Sequence, residues 1–187
     1  TLSNRSLEQI AEASDSDKLF QVYVLEDEVL GRSLLDRVKA AGYKGLCLTV
    51  DTVVGGNRER DARSGLAMPP RLTPRSTLQY AMRPLWAWHY LRKKESMQLG
   101  NFPQLPQPSV GDAEAFTLAM ARLFKKKLTW DDARAMIDYW QGAFAIKGVM
   151  SVADALEAKR VGATAVILSN HGGRQLDGTP APIELVA

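Results

Sequence analysis

"AFAIKGVMSVADALEAKRVGATAVILS", residues 143–169, is the stretch on which the fold turns. It begins and ends with short apolar or β-branched runs, "AFAIK" (143–147) and "TAVILS" (164–169), that show no polar alternation. Runs of this kind suit parallel strands covered on both faces. The segment between them, "SVADALEAKRVG", carries helix punctuation: Ser151 stands at the N-cap, Asp154 in the first turn, and Gly162 closes it. Strand, helix, strand is a right-handed βαβ unit.

The same rhythm extends towards the N-terminus. "FQVYV" (20–24) and "GLCLTV" (45–50) read as two further strands, joined by "DEVLGRSLLDRVKAAG" with apolar residues at helical spacing and a stop at Gly42. "SLEQIAEA" has Ser6 and Gln9 at capping-box spacing, and "TWDDARAMIDYW" starts a helix at Thr129 with two acids in its first turn. Repeated βα units mean a parallel α/β fold, either a (β/α)8 barrel or an open doubly wound sheet. No GxGxxG follows any strand, which weighs against a dinucleotide fingerprint.

Residues 62–128 interrupt the pattern. "MPPRLTPRSTLQYAMRPLWAWHYLRKKES" holds four prolines and "NFPQLPQPSVGD" three more. So long a connection inside a compact domain is a functional insertion or disordered, and we read it as an insertion within a single domain spanning 1–187. The chain of 187 residues is 45% hydrophobic and 24% charged, ordinary for one globular domain. Its net charge of +3 is too small to demand nucleic acid. The basicity is concentrated: Arg63, Arg71, Arg75, Arg83, Arg92, Lys93 and Lys94 fall between Ala62 and Lys94 with no acid among them. A single cysteine, Cys47, excludes a disulfide framework and fits a reducing compartment, and two histidines with one cysteine make a metal site improbable. No basic-plus-apolar signal segment and no bilayer-length apolar run is found.

Polar residues gather at the C-terminal end of each strand. The first contributes Gln21 and Tyr23, the second Thr49 and Asp51, with Arg58 in the "GGNRERD" that follows. The third ends in Lys147 before Gly148, and the fourth in "SNHGGRQLD", with Ser169, Asn170, His171 and Arg174. In a (β/α)8 barrel the active site is built at that face. The residue types are chemically coherent. A histidine beside an aspartate suits a general base, and two arginines suit a carboxylate clamp. A strand-end lysine is a fixed positive charge or a Schiff-base candidate, and Gln, Thr and Ser suit the edge of a heterocycle. Bland readings stand beside these. On the residues alone 169–177 is equally a polar turn, Asp51 an N-cap, Lys147 a snorkelling side chain and Arg58 half of a surface ion pair. Asp177 reads as an Asx-type turn residue and His89 as solvated or interfacial.

Taken together, "SNHGGRQLDG", the preceding "IKG", "LTVD…RERD" and "FQVYV" resemble the FMN-dependent L-2-hydroxy acid dehydrogenases and oxidases, a family of (β/α)8 barrels. The resemblance covers nearly the whole chain, in order. It implies that His171 is the general base, Asp51 the partner stabilising its imidazolium, and Tyr23 a substrate hydrogen bonder. It implies Arg174 as the carboxylate clamp with Arg58 assisting. Gln21, Thr49, Lys147 and Ser169 would hold the FMN ring, with the Lys147 ammonium beside the flavin N1–O2 edge; Ser3 is a further, displaced candidate for an FMN contact. In the family's pattern earlier strands would precede residue 1 and the phosphate-binding segments would follow Ala187, so about four of eight barrel strands are expected here.

The segment 71–94, with Tyr80, Trp86, Trp88 and Tyr90 among its basic residues, suits a monotopic membrane-surface element, the alternatives being a subunit interface or a lid. The inserted loop is more similar to that of membrane-associated L-lactate and mandelate dehydrogenases than to the compact soluble oxidases. That likeness implies a cytoplasmic protein, peripheral on the inner face of the membrane, passing electrons to a quinone, with a homotetramer as the family's habit. An oxygen-using oxidase and a non-catalytic fragment without flavin are the competing expectations, and nucleic acid is not an expected partner.

Overall fold

The computed structural model describes residues 2–52, 55–64, 73–92, 98–107 and 113–186. These fall into two compact units, one of Leu7–Asn57 with Arg122–Ala187 and one of Leu2–Ser6 with Arg58–Ala121.

The first unit is built on four strands, β1 (Leu19–Val22), β2 (Gly45–Thr49), β3 (Ala143–Val149) and β4 (Ala165–Leu168). All pairs are parallel and the spatial order is β1-β2-β3-β4, the order of the sequence. A doubly wound sheet reverses strand order at its switch point, whereas a barrel adds each strand beside the last. The unreversed order therefore selects the barrel type, of which this sheet is a part.

The helices follow from their sequences. Helix α1 (Leu7–Glu12) precedes β1, and α2 (Glu28–Ala40) is N-capped by Asp27, whose carboxylate accepts the Leu30 N–H at 3.0 Å. Leu34, Leu35 and Val38 of α2 are buried. Arg37 ties α2 to α1 through a forked bond to Glu8, at 2.7 and 3.0 Å. Ahead of β3, α7 (Trp130–Trp140) has a reciprocal capping box between Thr129 and Asp132. After β3, α8 (Val152–Arg160) starts where Ser151 Oγ accepts the Asp154 N–H at 3.0 Å, as its sequence announced.

Burial grades across the sheet. Every residue of β2 is buried, and Phe144, Ala145 and Ile146 of β3 are buried, so these strands are covered on both faces as their apolar runs predict. Each large side chain so placed contributes roughly 1.5–3 kcal/mol of transfer free energy. Strand β4 departs from the expectation: Val166 and Ile167 remain 39% and 38% exposed. It is the last strand of the order, with a neighbouring strand on one side only among the described residues. At the other edge, β1 ends at Val22, and the chain beyond it pairs elsewhere: Leu25 bridges Phe124, and the Lys125 N–H donates to Val24 O at 3.0 Å. Residues 122–128, within the span expected as insertion, thus belong with the sheet unit.

The second unit is helical where it is described: α3 (Glu59–Ser64), α4 (Pro74–Ala81), α5 (Pro84–Arg92) and most of α6 (Ala113–Leu123). Helix α4 begins with a Thr73–Ser76 capping box and Pro74 at its first position. The loop 99–107 wraps the Gln107 amide, which accepts the Leu99 N–H at 2.6 Å and donates to Phe102 O at 3.0 Å and Leu105 O at 2.8 Å. Leu99, Asn101, Phe102 and Phe116 are buried. Arg71, Lys93, Lys94 and the Tyr90 side chain, part of the basic stretch, lie outside the described residues.

Candidate active site

Strand register sets the site. Thr49 at the end of β2 pairs with Lys147 on β3, and Gln21 on β1 pairs with Cys47, two residues before Thr49. Side chains two apart share a face, so Gln21 and Thr49 meet: the Gln21 amide donates to Thr49 Oγ1 at 2.6 Å. Tyr23, just beyond β1, lies 3.4 Å from the same amide nitrogen through its hydroxyl and packs on Phe124 with ring centroids 5.0 Å apart. Burial, reinforced by the nearby Asp51 carboxylate, pushes the Tyr23 phenol above its ordinary value, although a bond from Thr52 pulls the other way.

The second half of the site centres on Asp51. Its Oδ2 lies 3.0 Å from His171 Nδ1, 3.4 Å from Ser169 Oγ and 3.6 Å from Lys147 Nζ. Lys147 also donates to Ser169 Oγ at 3.0 Å, and that oxygen accepts the His171 backbone N–H at 3.2 Å. With 24% of its side chain exposed and these partners, Lys147 does not snorkel to solvent. The other carboxylate oxygen, Asp51 Oδ1, is buried with no hydrogen-bond partner among the described residues. A carboxylate buried in this way is tolerated when cations and donors surround it, and two basic side chains do so here.

Two backbone devices produce the cluster. Between Lys147 and Val149 the β3–β4 register slips, and Gly148 at the slip has φ +109°. A Cβ there would stand 2.8 Å from Asp51 Cβ and 2.9 Å from Asp51 N, so the absence of a side chain lets Asp51 approach β3. The Val50 N–H donates to Lys147 O at 2.9 Å and closes this junction. After β4, the 3-10 turn His171–Gly173 has positive φ throughout, 58°, 66° and 69°. His171 is in the left-handed region, uncommon for a residue with a side chain and concentrated at functional positions. Asn170 braces the turn: its Oδ1 accepts the Gly173 N–H at 3.2 Å and its Nδ2 donates to Pro180 O at 3.1 Å.

Of the residues singled out from sequence, Gln21, Tyr23 and Thr49 are joined in one network, and Asp51, Lys147, Ser169 and His171 in another. Arg174 follows the turn with its side chain exposed. Arg58 belongs to the second unit, exposed ahead of α3, where its carbonyl accepts the Asp61 N–H at 3.0 Å. Ser3 is also in the second unit, its carbonyl accepting the Gly100 N–H at 2.9 Å. Asp177 accepts the Gly178 N–H at 3.0 Å, the Asx-type role expected of it, and His89 is exposed on α5. The roles of Gly148 and Asn170 went unread. Their partners are distant in sequence or bound through backbone, and only the Lys-Gly pair at a strand end hinted at the first.

A family model described as FMN-dependent dehydrogenase matches residues 1–187. The chain belongs to that family. An L-lactate dehydrogenase of Pectobacterium atrosepticum is 39% identical over 179 residues, 95% of this chain and 46% of that protein. One from Serratia proteamaculans is 39% identical over 178 residues, with the same two coverages of 95% and 46%. Among solved structures, the monotopic membrane protein (S)-mandelate dehydrogenase superposes with a TM-score of 0.86 at 34% identity, covering 97% of this chain and 48% of that one. A mandelate oxidase with (S)-4-hydroxymandelic acid gives 0.73 at 31% identity, covering 99% and 45%. The chain spans just under half the length of these relatives.

The donor set fits the family's cofactor. An isoalloxazine presents carbonyl oxygens, ring nitrogens and one N–H along its pyrimidine edge. An amide (Gln21), two hydroxyls (Thr49, Ser169) and an ammonium (Lys147) at adjacent strand ends supply matching donors and acceptors.

Proposed function

We propose that this protein oxidises an L-2-hydroxy acid, L-lactate or mandelate, to the 2-oxo acid with FMN. The observation that carries the reading is the His171–Asp51 pair at 3.0 Å, set beside the Lys147–Ser169 edge. FMN, when bound, supplies the two-electron acceptor. His171 removes a substrate proton through Nε2, because Nδ1 is engaged by Asp51. Asp51 fixes the ring orientation and offsets the imidazolium charge. Arg174 clamps the substrate carboxylate, and Tyr23 keeps a protonated hydroxyl to donate to the substrate. Gln21, Thr49, Lys147 and Ser169 hold the flavin edge.

The decisive experiment is anaerobic. The chain is reconstituted with FMN, and L-lactate or L-mandelate is added under argon. Bleaching of the visible flavin band is expected, and the acid that bleaches it names the substrate. A chain that retains no FMN, or bound FMN that neither acid bleaches, refutes the reading in favour of a non-catalytic segment. Re-oxidation of the bleached sample by a soluble quinone but not by air supports the dehydrogenase over the oxidase.

Membrane attachment through the second unit is part of the proposal. Leu78 on α4, Met82 just after it, and Leu85, Trp86 and Trp88 on α5 are exposed, among Arg75, Arg83 and Arg92. Tyr80 stacks on Trp86 at 5.2 Å and the Arg92 guanidinium lies 4.9 Å from the Trp88 ring. Aromatic and basic side chains presented together suit the headgroup layer of a membrane with anionic lipid. No helix among the described residues is long and apolar enough to cross a bilayer, and the contact proposed is a peripheral one. Co-sedimentation with phosphatidylglycerol vesicles, lost on replacing Trp86 and Trp88 by serine, tests it. Assembly into a homotetramer on the cytoplasmic face completes the reading.

A further inference from the structure

Two adjacent glycines follow β2 in the loop leading to Asn57, and they stand in opposite surroundings. An ideal Cβ on Gly55 meets nothing within 4 Å. On Gly56 it would fall 2.0 Å from Arg174 O, 2.9 Å from Gln175 Cα and 3.0 Å from Arg174 C. All three are backbone atoms, so no side-chain rotation relieves the overlap. Gly56 has no left-handed φ, so its requirement is for space and not for torsional freedom.

The segment it touches carries the proposed carboxylate clamp. Arg174 leaves the His171–Gly173 turn, where its N–H reaches His171 O at 3.4 Å. Asn170 braces that loop through Gly173 and Pro180, and His171 is separately anchored to Asp51 at 3.0 Å. The loop is therefore held on its own side by Asn170 and met on the other by the bare backbone of Gly56. Ordinary non-bonded contacts lie near 3.5–4.0 Å, so a methyl at position 56 would drive the Arg174 carbonyl away by about 1 Å or more. A misplacement of that size in a binding group costs about 10²-fold when the group must meet its ligand in a fixed geometry.

We propose that Gly56 is a positioning residue: its close backbone contact with Arg174 sets where the guanidinium reaches for the substrate carboxylate. The proposal rests on the reading of Arg174 as the clamp. It separates the two functions of one loop, because His171 is tied to the sheet through Asp51 while Arg174 is tied to the loop after β2.

The test compares wild type, Gly55→Ala, Gly56→Ala and Arg174→Met, each reconstituted with FMN. The probe is 2-hydroxy-2-methylpropanoate, a 2-hydroxy acid with no α-hydrogen to lose, titrated by calorimetry. Backbone amide shifts of residues 173–176 are recorded in parallel on the flavin-free chain. Gly56→Ala is expected to move those amides and to weaken the probe by about tenfold or more, with FMN affinity retained. Gly55→Ala is expected to match wild type in both readouts. Unmoved amides at 173–176 in Gly56→Ala overturn the proposal, as does a Gly55→Ala variant that loses as much as Gly56→Ala. Wild-type probe affinity in Arg174→Met overturns the clamp reading separately, and leaves the amide shifts to judge the contact.

Discussion

Replacing Gly148 by alanine isolates what holds Asp51 beside His171. Two costs add at this position. The backbone is at φ +109°, where residues with a Cβ are strained by about 1–3 kcal/mol. The new methyl would also lie 2.8 Å from Asp51 Cβ, 2.9 Å from its N and 3.0 Å from its Cγ, an overpacking cost of about 1–3 kcal/mol. The sum, about 2–6 kcal/mol, is a large share of the 5–15 kcal/mol that a domain of ordinary stability possesses. Gly178→Ala provides the control. Gly178 also has positive φ, +75°, but a Cβ there meets nothing within 4 Å, so strain of about 1 kcal/mol is its whole cost. Urea unfolding of both variants, compared at a common m-value, measures the difference. Gly148→Ala should lose more by about 1–5 kcal/mol, and relief of the clash should displace Asp51 from His171. Equal losses in the two variants would refute the claim that contact with Asp51, and not backbone torsion alone, demands glycine at 148.

Two further outcomes follow from buried or paired groups. Burial alone would raise the Asp132 carboxyl, but the Lys125 ammonium at 2.7 Å and the Thr129 N–H and hydroxyl outweigh it and hold it below its usual value. A carboxyl lowered on folding stabilises above its unfolded value, near pH 4, and that contribution disappears as pH falls through the folded value. Asp132→Asn should therefore flatten the acid limb of stability measured by urea unfolding from pH 6 downwards; an unchanged slope would contradict the pairing. Burial pushes the Cys47 thiol above its ordinary value, with Lys147 opposing and Asp51 adding, and only 5% of the residue is exposed. Iodoacetamide at pH 8 should alkylate Cys47 far more slowly than a free thiol and reach full rate only in denaturant, whereas rapid labelling of the native chain would contradict its burial.

The strands and their helices were legible because their signals are local. "GLCLTV" and "AFAIK" are apolar throughout, and β2 and β3 are the strands buried most completely. Thr129 with Asp132, and Ser151 with Asp154, announce helix starts within four residues, and the structure places a cap at each. The exposure of β4 was not legible, since "TAVILS" has the same composition whether or not a neighbour covers it. Nor was the end of β1 at Val22, set by pairing with residues 124 and 125 that no local pattern connects to it. The site followed the same division. Residue types at strand ends pointed to Gln21, Thr49, Asp51, Lys147, Ser169 and His171, and parallel register brings them together. What could not be read was the backbone that aims them: the slip at Gly148, the left-handed His171 and the contact of Gly56 with Arg174. The slip at Gly148 and the contact of Gly56 with Arg174 each join two segments far apart in the chain.

The most direct test of the proposed chemistry is His171→Gln reconstituted with FMN. Glutamine keeps a polar side chain at the turn but removes the ring nitrogen proposed to take the substrate proton. Gln21, Thr49, Lys147 and Ser169 are untouched, so FMN should bind as in the wild type. Anaerobic bleaching by the active 2-hydroxy acid should slow by about 10²–10⁴-fold, the contribution of a positioned general base. Bound flavin that bleaches at the wild-type rate in His171→Gln would contradict the assignment of His171 as the base.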